Sequence, residues 1–258
     1  MTRMSDLFIE RSDTEESVPL RFSEPAPTWI EGFDASRAEG ENGGYHSLFC
    51  GEIWRAPPED RQRLGRAVRS VLASYRRRLG VSQQAPVLIA GIGKESAAAD
   101  ALGPRTAARI LTTDRTMREA GLAAVSAIKT GTVGETGIDT HRHILALARE
   151  IGAELIVTVD ALTARSGDRL GTVVQITDCG ITPGSALGHA SGEISRHTMP
   201  CPVLSVGVPT VVRSDVLTGE MEDDPMFVTR ADTDAMVTCY ASILASAINA
   251  VFTGNAGD

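Results

Sequence analysis

Two stretches, VLIAGIGKESAAADALGP at 87–104 and LIVTVDALTARS at 155–166, decide the reading of the fold. Each opens on a continuous apolar run rich in Val and Ile, the pattern of a strand buried on both faces rather than one that alternates between core and water. Around them the same alternation repeats. DALGPRTAARIL (100–111) and IDTHRHILALAREIG (138–152) carry helical spacing, while AAVSAI (123–128), TVVQI (172–176) and PVLSVGVP (202–209) are further short apolar runs. Buried strands separated by helices predict an α/β fold of three layers, a mostly parallel sheet with helices on both faces. Such sheets place their chemistry at the carboxyl ends of the strands.

Working outward, Ser47 to Trp54 reads as a strand, and Pro57-Pro58-Glu59-Asp60 opens a helix running to about Arg78. Pro at the first helical position and apolar residues Leu64, Val68, Val71, Leu72 and Tyr75 at helical spacing support that reading. Its interspersed arginines are the expected solvated face. Residues 1–45 are rich in acids, Pro and Gly and read as an acidic, extended N-terminal arm. Residues 46–258 read as a single α/β domain with its core at 86–212. A closing helix is expected at about 231–252, entered by Thr229 with Asp232 three residues later in a capping-box pattern.

Composition narrows the function classes. The 258 residues are 42% hydrophobic and 22% charged, ordinary for a globular protein, and 25 basic against 33 acidic residues leave a net charge of −8. That balance offers no global field for phosphate, so direct nucleic-acid binding is not expected. Four separate cysteines without a CxxC pair argue for reduced thiols in a cytoplasm. No window has the roughly 18 consecutive apolar residues of a membrane span, so no membrane association is expected. GIGKE at 91–95 lacks both the third glycine of a dinucleotide loop and the GK[ST] of a P-loop.

The chemistry rests on acids. Asp100 follows the first strand and Asp160 ends the run LIVTVD, so in a parallel sheet both open on one edge. Two carboxylates brought close share a proton, leaving one as base toward water and the other as acid toward a leaving amine. Against that stand the plainer roles of a helix cap for Asp100 and a turn for Asp160, and Asp139 and Asp178 fit cap and turn roles better still. Among the histidines, His141 and His143 diverge on one helix and read as surface, which leaves His189 in the glycine loop GSALGHASGE (184–193) as the one placed near a site. No His/Cys spacing for a metal is present, and no cofactor is expected. Gly180, Gly184, Ser185, Gly188 and His189 form a candidate substrate-holding loop, since glycines permit close approach of a peptide backbone. Cys179 reads as buried filler and Ser191 as a turn residue.

ADALGP (99–104), GETGIDT (134–140), VDALTARS (159–166), TVVQITDCGITPGSALG (172–188) and VLSVGVPTVV (203–212) occur in this order and together resemble the spore germination protease family. The resemblance spans roughly Pro86 to Val212 and extends to the closing helix. It implies an atypical aspartic-type endopeptidase of small acid-soluble spore proteins, with essential acids at Asp100 and Asp160 and a fold similar to the hydrogenase maturation endopeptidases. It further implies a homo-oligomeric zymogen in the cytoplasm of the spore core. Ser5-Asp-Leu-Phe-Ile-Glu10 looks like the family's leader-cleavage pattern, which places self-cleavage between Asp6 and Leu7. The chain departs from the family with Lys94 and Ala98-Ala99 before the first acid, with Thr182 where a His is usual, and in a short link from Val212 to Thr229. Two other readings remain open from the sequence: a metal-dependent maturation-type peptidase using the acids with His189, and a catalytically silent relative that binds without cutting.

Overall fold

The computed structural model describes residues 26–40, 43–113, 119, 122–184, 192–219 and 226–253. Its centre is the strand β4 (Val87–Ile92), every residue of which is buried. On one side β4 pairs in parallel with β5 (Val125–Gly131), and on the other with β6 (Leu155–Ala164), which in turn pairs in parallel with β8 (Val203–Arg213). These are the apolar runs of the sequence, and the parallel half of the sheet behaves as their patterning predicts.

The other half is antiparallel. β1 (Ala26–Ile30), β2 (Phe33–Gly40) and β3 (Gly43–Phe49) form a meander that joins the sheet through β7 (Val173–Thr177), which lies between β3 and β8. The order is β1-β2-β3-β7-β8-β6-β4-β5, with β9 (Phe227–Val228) paired to the end of β8. The sheet is therefore mixed, parallel over β5, β4, β6 and β8 only. The link from β6 to β7, residues 165–172, is too short for a crossover helix, so the chain must turn back and run antiparallel. Residues 26–40 and 43–45, expected as part of an arm, are sheet strands; Glu31 and Gly32, both at positive φ, make the tight hairpin turn from β1 to β2. The expected strand at 47–54 begins earlier and ends at Phe49, with Ile53–Arg55 in a short 3-10 turn.

Helices cover both faces. α1 (Pro58–Arg78) starts at its proline, with Glu59 and Asp60 in the first turn and Arg76, Arg77 and Arg78 in the last, the charge order a helix dipole favours. Its buried side, with Leu64, Val68, Leu72 and Tyr75, packs with α6 (Thr233–Phe252) and α2 (Leu102–Ala107) on one face of the sheet. α4 (Thr140–Glu150) covers the other through Ile144 and Ala148, against Leu88, Ala90, Ile92 and Ile156. α6 is long and apolar enough to cross a bilayer, but Met236, Tyr240, Leu244, Ile248 and Phe252 are fully buried against the sheet and α1. Those residues make it a core helix here.

Two helix boundaries differ from expectation. α2 ends at Ala107 instead of near 111, because Asn249 of α6 takes up the chain beyond it, accepting from the Leu111 N–H at 2.9 Å and donating to the Arg109 carbonyl at 3.0 Å. At the start of α6 no capping box forms. The Asp232 carboxylate instead accepts from Trp54 Nε1 at 2.9 Å and pairs with Arg55 and Arg230, while the Thr229 hydroxyl donates to the Thr210 carbonyl. The indole N–H and then those cations hold the Asp232 carboxyl well below the usual carboxylate range.

Candidate active site

Asp100 stands in the loop past the carboxyl end of β4, whereas Asp160, expected to end its strand, lies inside β6, which runs on beside β8 to Ala164. β4 ends at Ile92, and its Gly91 is level with Val159 of β6, so the strand next to Asp160 stops as that residue is reached. The chain then passes through Gly93 and Lys94 into a 3-10 turn, Ala98–Asp100, before α2 begins. Along β6, Ile156 faces α4, and the alternation of a strand puts Asp160 on that same face. Asp160 Oδ1 accepts from the Ala161 N–H at 2.8 Å, and Gly207 is its partner in β8.

Glycines allow the turn and helix to sit this close. A Cβ on Gly103 would collide with Ile92 and with the carbonyl oxygen of Val159, and one on Gly91 would collide with the Gly103 carbonyl. The DALGP motif thus seats α2 backbone-to-backbone on the ends of β4 and β6: Leu102 is buried, Gly103 makes the contact, and Pro104 falls in the first helical turn, where no N–H is needed. Gly93, at a φ of 115°, lets the chain wrap around Asp100; a Cβ there would collide with the Asp100 carbonyl oxygen and lie 2.7 Å from Oδ1.

Asp100 is not the cap of α2. Its Oδ2 accepts from the Lys94 N–H at 2.6 Å, inside its own loop. Burial raises its pKa to about 6, followed by opposing effects: the Lys94 N–H lowers it, the negative charge of Glu135 raises it, and the Lys94 ammonium lowers it. A carboxyl that titrates near neutrality at the end of a parallel strand is poised to hold or release a proton under working conditions.

A raised carboxyl pKa costs stability once the group must ionise. The folded protein binds the Asp100 proton more tightly than the unfolded chain between about pH 4 and pH 6, so stability falls as pH rises through that window. Asp100→Asn removes the cost. We expect the variant to match wild type at pH 4 and to exceed it by about 1–2 kcal/mol at pH 8, a figure reduced for partial solvent access. Denaturant melts at the two pH values check this; a loss of stability at pH 8 contradicts it.

The other candidates separate. Asp139 caps α4 by accepting from the Arg142 N–H at 3.3 Å. Asp178 lies at the amino edge of the parallel strands, because β7 runs against them; it is buried, accepts from the Gly44 N–H at 2.7 Å and pairs with Arg78. The glycine loop leaves from that amino edge. Gly180 is pressed against Ile194 and Ser195, where a Cβ would lie 2.5 Å from that of Ser195, and Ile181 bridges Ile194. That packing is enough to require the glycine. Gly192, where the described chain resumes, stands against the ring of His141 in the first turn of α4, so His141 is half-buried beside the loop's return and not simply helix surface. Ser185, Gly188, His189 and Ser191, like Asp6 and Leu7, lie outside the described residues; Gly184 is the last described residue before the gap, at a φ of 73°. Among the described residues no group of three or more His, Cys, Asp and Glu is placed to hold a metal ion.

The sequence reading missed Glu135. It sits in α3 (Val133–Thr136), directly after β5; its sequence signals are the T-x-x-E capping pattern Thr132-Val-Gly-Glu135 and its place in the GETGIDT motif, 134–140.

The family model for germination protease matches residues 29–224, about three quarters of the chain and both acids. The chain belongs to the germination protease family. The germination proteases of Bacillus cereus (strain B4264) and Bacillus mycoides (strain KBAB4) are each 34% identical to it over 196 residues, 73% of this chain and 53% of theirs. That of Bacillus cytotoxicus shows the same identity and coverage. The chain thus spans about half the length of the curated relatives it matches. Among solved structures, a [NiFe] hydrogenase maturation protease, HycI from Thermococcus kodakarensis, aligns with a TM-score of 0.42 at 17% identity, over 69% of this chain and 99% of that one. The germination protease match takes in β1 from Trp29 together with β2 and β3, further toward the amino terminus than the motifs alone indicate, and stops before α6.

Proposed function

We propose that this chain is an aspartic-type endopeptidase that cuts small acid-soluble spore proteins during germination, with Asp100 and Asp160 as its working pair. The observation that carries the reading is Asp100: a half-buried carboxyl, raised to about 6, at the end of a parallel strand within the germination protease match. In this scheme Asp160, as carboxylate, takes a proton from water. The hydroxide so formed adds to the scissile carbonyl carbon, and protonated Asp100 gives its proton to the amide nitrogen as the C–N bond breaks.

The rest of the reading follows the family. The glycine loop around Gly180 to His189 holds the substrate backbone, the protein is a homo-oligomer in the cytoplasm of the spore core, and it is made as a zymogen that trims itself between Asp6 and Leu7. No metal or other cofactor takes part. Incubating the purified chain with a small acid-soluble spore protein and reading masses tests it. Internal fragments that persist after exhaustive chelation, with loss of residues 1–6 from the enzyme, are expected. An intact substrate overturns the endopeptidase reading, and activity lost to the chelator and restored by zinc replaces the acid pair with a metal scheme.

A further inference from the structure

The paired strand ends of β4 and β5 carry a second carboxylate beside Asp100. Gly93 and Gly131 are bridge partners across these ends. The Asp100 carboxyl lies against Gly93, and Glu135 Oε2 lies 3.6 Å from where a Cβ of Gly131 would be. Glu135 is exposed but tethered. Its Oε2 accepts from both the N–H and the hydroxyl of Thr132, at 3.2 and 3.3 Å, which fixes it over the strand end. The charges that act on Asp100 are Lys94 from its own loop and Glu135 from α3. Glu95 and Lys129 lie nearby but neutralise each other at 2.8 Å.

We propose that Glu135 is a positioning residue for Asp100, its negative charge adding to burial in keeping the proton on Asp100, so that Asp100 serves as the acid of the site. The inference deepens the peptidase reading and rests on it for the catalytic consequence, though the hold of Glu135 on Asp100 is measurable without any substrate. A capping-box acid thereby does two jobs: it closes α3 and loads its neighbour. Lys94 works in the opposite direction, drawing the proton off.

Glu135→Gln separates the two jobs, because Gln caps a helix at this position as Glu does but carries no charge. Carbon NMR of the carboxyl groups in the full chain follows the Asp100 titration directly. In Glu135→Gln the midpoint should fall by about half a pH unit, and in Lys94→Gln it should rise, each change shrinking at about 1 M salt as expected of partly exposed charges. A midpoint that stays put or rises in Glu135→Gln overturns the proposal, whatever the activity does. The alkaline limb of the cleavage profile should move down with the midpoint. A midpoint that moves while that limb does not leaves Glu135's hold on Asp100 standing and removes Asp100 from the role of acid, so failure of the inference and failure of the peptidase reading give different results.

Discussion

On the proposed mechanism, Asp100→Asn and Asp160→Asn are each expected to lower cleavage of a small acid-soluble spore protein by about 10²–10⁴-fold, the usual worth of a general acid or base, while the protein stays folded. The reason is the division of labour at the carboxyl edge. Asn at 100 still accepts the Lys94 N–H that now meets Oδ2 at 2.6 Å, so the loop keeps its shape, but it has no proton to give the leaving amine. Asn at 160 still accepts from the Ala161 N–H, yet cannot take a proton from water. Because the proposed scheme has the two act on one substrate in one turnover, the double variant should be little worse than either single one. Cleavage rates from mass spectra, with circular dichroism for the fold, decide it. Retention of more than about a tenth of wild-type cleavage by both single variants removes the pair from the mechanism.

Gly103→Ala is expected to be among the most damaging single-methyl changes in the chain. The added carbon has backbone on every near side, namely the Ile92 nitrogen and oxygen and the Val159 oxygen, and backbone cannot swing aside as a side-chain tip can. Either α2 lifts off the ends of β4 and β6 or the strands part. We expect a loss of about 3 kcal/mol, and with it displacement of Asp100 and loss of cleavage. Gly65→Ala makes the comparison. That glycine is inside α1, its Cβ would come no closer than 4.0 Å to Ile243, and alanine is the better helix former, so a gain of about 0.5–1 kcal/mol is expected. Thermal and denaturant melts of the two variants should move in opposite directions; a neutral Gly103→Ala contradicts the close seating of α2.

Much of the parallel half was legible before any coordinates. Continuous apolar runs located β4, β6 and β8 because a strand covered on both faces has no wet side to mark with polar residues. Pro58 marked the start of α1 and Asp139 the cap of α4, each through a preference that acts between chain neighbours. The place of Asp100 followed, since a residue in the loop past a parallel strand can stand only at the carboxyl edge, whereas Asp160, expected to end its strand, lies within β6.

What the sequence alone determined were features set by local terms: the apolar strands, the helix starts and the place of Asp100 in the loop after β4. What only the tertiary structure decided depends on partners distant along the chain. The direction of β7 and the recruitment of β1, β2 and β3 came from pairing across the sheet, and the polar, glycine-rich composition of residues 26–45 hid it because β1 is an edge strand and β2, though paired on both sides, buries mainly small residues, Ala35 and Ala38, beside Phe33. Asp232 left its cap for Trp54 and Arg55, since charged partners outweigh one backbone N–H. Glu135 stands in sequence inside the GETGIDT motif with no role assigned to it; only the pairing of Gly93 with Gly131 brings it toward Asp100, because strand pairing is a long-range choice that no local pattern encodes.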